Sequence, residues 1–164
     1  VACGSGVWGI GAALEEPRVQ VTAFDLAETL PHARRHVERH KLQERFAFLE
    51  GDLREIDHDA GRYEAAMLGH ICHSEGPEHS KRLLARMHKA LRPGGTLAIA
   101  EFVTDDDRNG PLRSLLFGVN MLVNTTEGDV YSLAQLRGWL EAPGFRDVRT
   151  LEAEAPSPLI LATR

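Results

Sequence analysis

Val1-Ala2-Cys3-Gly4-Ser5-Gly6-Val7-Trp8-Gly9-Ile10-Gly11 reads as the end of a buried strand, a glycine turn and the start of a helix. Gly4, Gly6 and Gly9 fit the spacing G-x-G-x-x-G. Glycines let the backbone turn sharply and let a ligand lie against it. The helix that follows offers unpaired N–H groups and a positive dipole end to an anion. A pyrophosphate fits that description, and so does the carboxylate of an amino-acid-like ligand. By itself the motif is weak, because plain strand–helix connections also use glycine turns.

Outward from the loop, strands and helices alternate. Val7 to Leu14 reads as a helix ended by Pro17, and Val19 to Phe24 as a β-branched strand closing on Asp25-Leu26. Asp25 lies about 20 residues past the glycine loop, where a strand-end carboxylate can hold two ribose hydroxyls. An ordinary loop acid is the plain alternative. Pro31 opens a helix with an apolar stripe of Leu30, Ala33 and Val37, and Arg34, Arg35, His36, Arg39, His40 and Lys41 form its solvated face. Phe46 to Glu50 is the next strand. Asp52 follows it, as an acceptor for an adenine amine or as a helix cap.

Tyr63 to Leu68 is a further strand, leading into Gly69-His70-Ile71-Cys72-His73-Ser74. Glu78 to Leu91 is an amphipathic helix stopped by Arg92-Pro93-Gly94-Gly95, and Thr96 to Ala100 is a continuous apolar strand ending in Glu101. A polar stretch from Thr104 to Gly110 precedes a helix opened by Pro111. Ser132 to Leu140 carries a capping box of Ser132 and Gln135, with Tyr131 placed to staple Leu136. Asp147 to Leu151 and Leu159 to Thr163 have no helix-length segment between them and should pair antiparallel. The expected fold is α/β: a doubly wound Rossmann-like sheet, mostly parallel, with one antiparallel edge strand at the C-terminus. In such sheets ligands sit at the carboxyl ends of the strands, where Gly4 to Gly6, Asp25, Asp52, Gly69 to His73 and Glu101 all fall.

With 164 residues the chain is long enough for one domain with a real core. A net charge of −5 argues against nucleic acid as a partner, and no apolar run approaches the ~20 residues of a membrane span. Cys3 and Cys72 are too few for a disulfide framework, so a reducing compartment, the cytoplasm, is expected.

Val1 to Gly6, Asp25-Leu26, Gly51-Asp52, Ala90 to Gly95, Glu101 and Gly144-Phe145 before a strand hairpin resemble a class I S-adenosylmethionine-dependent methyltransferase. Within that class the chain is most similar to the small-molecule O-methyltransferases of the plant caffeate and bacterial polyketide-tailoring type. Phe117 to Leu140, with Met121-Leu122-Val123, Tyr131-Ser132 and Trp139-Leu140, adds to this. The resemblance covers nearly the whole chain.

It implies S-adenosyl-L-methionine as cofactor. The methionine moiety would lie against Cys3, Gly4, Ser5 and Gly6, and the ribose on Asp25. The adenine would lie between Leu26 and Asp52-Leu53, with Leu68, Gly69 and His70 nearby. A small aromatic or polyketide-like hydroxyl would be the acceptor, in a pocket lined by Phe117, Asn120, Met121 and Asn124. His73 would be the general base and Glu101 the carboxylate that orients it. An imidazole, with a pKa near 6.5, suits removal of a phenolic proton at pH 7. The family usually has Asp where this chain has Ser74, and Glu127 or Asp129 only approximates its second flanking carboxylate. Members usually carry an N-terminal dimerisation domain. The expectation is therefore one cofactor-binding domain over 1–164, with that segment and most of the first strand absent, and a homodimer for the full-length protein.

Carbon or nitrogen methylation, and a methyltransferase-like domain that binds cofactor without turnover, are the alternatives. A nicotinamide-binding domain shares the glycine loop but would need a catalytic domain for which the chain has no length. His70, Cys72, His73 and His79 cluster at a possible ligand spacing, but no second compact set completes a tetrahedral site, so no metal is expected.

Overall fold

The computed structural model describes residues 1–56, 59–151 and 157–164. Two compact units emerge, Val1–Ile56 and Asp57–Arg164.

In the first unit α1 (Val7–Glu15), β1 (Val21–Asp25), α2 (Leu30–Arg39) and β2 (Phe46–Glu50) follow the expected order. β1 and β2 pair in parallel, Val21 with Phe46 through Asp25 with Glu50. Ile10, Ala13, Val37 and Leu42 form a core closed by Val21, Phe46 and Phe48. The third glycine of the motif has a steric reason. A Cβ on Gly9 would stand 2.8 Å from Val21 Cγ1 and 3.3 Å from the Phe46 ring, so α1 can approach the strands only with glycine there. The expected strand end at Val1-Ala2 does not form. Its place is taken by one ladder-like bond from the Cys3 N–H to the Phe24 carbonyl, 3.0 Å, and Ala2, at φ 49°, lies outside the extended range a strand needs.

In the second unit β3 (Tyr63–Gly69), α3 (Cys72–Ala90), β4 (Leu91–Ala100), α4 (Leu112–Asn124), α5 (Leu133–Glu141), β7 (Arg146–Leu151) and β8 (Leu159–Thr163) build the scaffold, with two short strands, β5 (Val103–Thr104) and β6 (Tyr131–Ser132), paired apart from it. The main sheet has the order β3-β4-β8-β7. β3 and β4 are parallel, and β8 runs antiparallel to both of its neighbours. The C-terminal strand is thus reversed as expected, but it lies inside the sheet instead of at its edge. Burial decides this: Ile160 and Ala162 of β8 are buried, whereas β7 buries only Val148 and takes the edge.

Gly76, at φ 71° and ψ 169°, interrupts α3, so the expected helix from Glu78 is preceded by a separate first turn carrying His73. Arg92 to Gly95 form a bulge, since Tyr63 pairs with Leu91 and Ala65 already with Thr96. Leu83, Leu84, Met87, Leu97, Leu136 and Ile160 are buried in this unit's interior. The capping box at Ser132 is formed: its hydroxyl accepts from the Gln135 N–H, and the Gln135 side chain accepts from the Ser132 N–H. No described helix is long and apolar enough to cross a membrane.

Candidate active site

Parallel pairing of β3 with β4 decides which side chains meet. Gly69 pairs with Ala100 at the ends of the two strands, and the His70 N–H extends the ladder to the Ala100 carbonyl at 2.9 Å. The residues that follow each strand therefore leave the sheet side by side. One side supplies His70 and, a turn later, His73; the other supplies Glu101.

Glu101 is fully buried and its carboxylate accepts three hydrogen bonds. His73 Nδ1 lies 2.7 Å from Oε1, the Phe102 N–H donates to Oε1 at 2.9 Å, and the His73 N–H donates to Oε2 at 3.2 Å. His73 sits in the first turn of α3, whose backbone N–H groups have no partner within the helix. Glu101 thus caps α3 from another strand, where the helix dipole also favours a negative charge. Burial by itself would raise the Glu101 carboxyl, but the two imidazoles beside it, with the His73 hydrogen bond, outweigh it and hold the group below the usual glutamate range. Of the two rings, His73 is the one within bonding distance. His70 Nδ1 stands 3.9 Å from Oε1.

The His73–Glu101 bond has a direct chemical consequence. A carboxylate bonded to Nδ1 places the imidazole proton there and leaves the lone pair on Nε2. The His73 side chain keeps 11% of its surface exposed, enough for contact from outside. The Phe117 ring meets it edge-on at 4.8 Å, and Phe102 lies 4.4 Å from Phe117 and 5.1 Å from His70. An imidazole with one open nitrogen therefore stands beside an aromatic wall.

The expected pocket residues divide. Phe117 reaches His73, and Met121 is buried. Asn120 and Asn124 are exposed and hydrogen-bond each other. Neither candidate for the second carboxylate is bonded to the His73 ring. Glu127 Oε2 is 3.4 Å from His79 Nδ1, and Asp129 is held by both nitrogens of the Arg108 fork at 3.0 and 2.6 Å. Asp129 contributes through its backbone instead, its N–H donating to the His73 carbonyl at 2.9 Å. Leu68 is fully buried, while Gly69 and His70 retain some exposure.

In the first unit the glycine loop and Asp25 are joined directly. The Gly4 N–H donates to Asp25 Oδ2 at 2.7 Å and the Leu26 N–H to Oδ1 at 2.8 Å. Gly4 and Gly6 both have positive φ, 54° and 80°, and a Cβ on Gly4 would meet nothing within 4 Å. No side chain caps α1, so its first-turn N–H groups are left without a side-chain acceptor there. Leu26 is exposed. Asp52 accepts from the Arg54 N–H at 2.7 Å within a turn, and among the described residues no helix follows for it to cap, as the alternative to adenine recognition expected; its second oxygen stays available. Leu53 is partly buried, as is Cys3.

Sequence reasoning did not single out Phe102, Ser157 or Arg108. Phe102 directly follows Glu101 in the chain. Ser157, whose hydroxyl is 3.3 Å from His70 Nε2, and Arg108 act across 87 and 21 residues, separations at which sequence carries no pairing signal.

Cys72 lies between the two histidines and is fully buried. Burial first, then the Glu101 charge, pushes its thiol up to about 12. At pH 8 its thiolate fraction is then about one part in ten thousand. Iodoacetamide at that pH is expected to leave Cys72 unmodified in the native chain and to label it in guanidinium, as read by peptide mass mapping. Rapid native labelling would contradict this burial.

Comparison with known proteins adds four findings. The family model described as the O-methyltransferase domain matches residues 1–146. The tetracenomycin polyketide synthesis 8-O-methyl transferase of Streptomyces glaucescens is 34% identical over 148 residues, spanning 90% of this chain and 43% of its own. Among solved structures, human N-acetylserotonin methyltransferase in complex with SAM is similar at a TM-score of 0.85 and 28% identity, over 100% of this chain and 46% of its own. An O-methyltransferase family 2 protein of Planctomyces limnophilus, in complex with apigenin, is similar at a TM-score of 0.93 and 26% identity, over 99% of this chain and 49% of its own. The chain spans about half the length of the curated relatives it matches.

Proposed function

The chain belongs to the O-methyltransferase domain family, and from that premise we propose that it serves S-adenosylmethionine-dependent methyl transfer to a hydroxyl of a small aromatic or polyketide-like molecule, with His73 as general base. The observation that carries this reading is the buried His73–Glu101 pair beside an aromatic wall.

The donor set of the first unit fits such a cofactor. The open face over Gly4, the uncapped amides of α1 and the Asp25 carboxylate match an amino-acid carboxylate and a ribose. Cys3 to Gly6 and Asp25 would hold those parts, and Leu26, Asp52 and Leu53 the adenine. When bound, S-adenosylmethionine supplies an electrophilic methyl group on a positively charged sulfur.

The chain's own residues then have two tasks. Phe117 and Phe102 offer ring faces and edges to an aromatic acceptor and restrict water around its hydroxyl. His73 Nε2 accepts the hydroxyl proton as the oxygen becomes nucleophilic, and Glu101 holds the resulting imidazolium through Nδ1–H. Both relatives described above that carry a hydroxyl-methylating name support oxygen as the acceptor atom.

Thermal unfolding with S-adenosylhomocysteine or NAD tests the cofactor half. A ligand at 100 times its Kd adds about 2.7 kcal/mol, which at about 2–4 °C per kcal/mol raises Tm by about 5–11 °C. The shift is expected with S-adenosylhomocysteine and not with NAD. A shift with NAD alone would overturn the reading.

A further inference from the structure

Two histidines converge on Glu101, bringing three ligand-type side chains together. One suitable atom from each of His70, His73 and Glu101 lies within 4.8 Å of the others, and two of the three residues are buried. The His-x-x-His spacing alone lacked a third ligand; parallel pairing of β3 with β4 brings Glu101 to it. His70 Nδ1 is buried without a hydrogen-bond partner and stands 3.9 Å from the Glu101 carboxylate. Such a nitrogen is costly to bury unless something binds it.

We propose that His70, His73 and Glu101 form a site for a divalent transition cation of the zinc class. Two imidazoles and a carboxylate suit Zn²⁺ or Co²⁺, whereas Mg²⁺ and Ca²⁺ prefer oxygen donors. With metal–ligand distances near 2.1 Å, tetrahedral ligands lie about 3.4 Å apart. Relative to Glu101, His73 Nδ1 must move out from 2.7 Å and His70 Nδ1 in from 3.9 Å, and the widest ligand pair must close from up to 4.8 Å, a shift of about 1.4 Å at most. Three protein ligands leave the fourth position for water. No proton is lost on coordination: with metal on Nδ1, each neutral imidazole carries its proton on Nε2. For His70 a receiver is already present, since Ser157 Oγ lies 3.3 Å from Nε2. Hydroxyls and carbonyls in that position orient ligating histidines.

Coordination takes both members of the proposed base pair, so the cation inhibits methyl transfer. That consequence rests on the role proposed for His73; the binding does not.

Co²⁺, a spectroscopic substitute for zinc, tests the site on the untagged full chain. One equivalent is expected to give visible d–d bands of four-coordinate intensity, removed by competing Zn²⁺. His70→Ala should abolish them, and Ser157→Ala should weaken affinity about tenfold. The α2 variant His36→Ala/His40→Ala should leave them unchanged. Absence of bands, their survival in His70→Ala, or their loss in the α2 variant would overturn the site. If His70→Ala fails to fold, the Ser157→Ala titration decides. Bands without inhibition of methyl transfer would uphold the site and overturn His73 as the base. Loss of turnover in His73→Ala with no bands in the wild type would overturn the site and leave the base reading standing.

Discussion

His73→Ala is expected to lower kcat by about 10²–10⁴ while S-adenosylhomocysteine binding stays within about twofold. The size follows from the proton the reaction must remove. A phenol titrates near 10, so at pH 7 about one acceptor molecule in a thousand is already a phenolate. Without a base the enzyme works on that fraction or leaves the proton to water. The Glu101 bond to Nδ1 fixes the ring with Nε2 open, so alanine removes the proton acceptor together with its alignment. Most of the expected cofactor contacts lie in a different part of the chain, Cys3 to Leu53, which is why binding should survive. His73 is buried, so thermal unfolding of the variant must accompany the kinetics, and His73→Gln provides a better-filled comparison. Turnover equal to the wild type in a folded His73→Ala chain would remove His73 as the base.

The parts of this arrangement that repeat along the chain were legible in the sequence. Leu30, Ala33 and Val37 announce the buried face of α2, and the same three residues are buried. Ser132 and Gln135 announce the cap they form. Strand-end residues such as Asp25 and Glu101 could each be placed because the apolar run before each marks where its own strand ends. What periodicity could not supply was partnership. β5 and β6 are two residues each and show no alternation, and the position of β8 inside its sheet depends on comparing its burial with that of β7. By residue type Asp129 is a candidate carboxylate for His73. Its carboxylate instead serves Arg108, and it reaches the histidine through a backbone N–H, which no reading by residue type reveals.

Glu101→Gln tests the other half of the pair, and its effect follows from counting donors. The carboxylate accepts from His73 Nδ1, the Phe102 N–H and the His73 N–H, and both of its oxygens are used. Glutamine keeps the shape but replaces one accepting oxygen with an NH₂ donor. Whichever way the amide is turned, it faces at least one N–H that needs an acceptor. One unsatisfied buried donor costs about 1–3 kcal/mol, so Glu101→Gln should melt several degrees below the wild type. Glu101→Ala orphans all three donors and should be worse. In hydrolase triads the matching carboxylate-to-amide change costs about 10⁴ in kcat, because the histidine loses its tautomer and its counter-charge. A loss of at least about 10² is expected here, with S-adenosylhomocysteine binding retained. The stability deficit should also depend on pH, with a definite sign. The Glu101 carboxyl is held below its ordinary value in the folded chain, so its charge stabilises the fold above the unfolded value near 4.3 and loses that effect as pH falls toward the folded value. The gap between the wild type and Glu101→Gln should therefore be widest near neutrality and narrow below about pH 4. Denaturant unfolding at both ends of that range measures it. A gap that widens on acidification would mean that Glu101 is buried as the neutral acid and cannot support an imidazolium at His73.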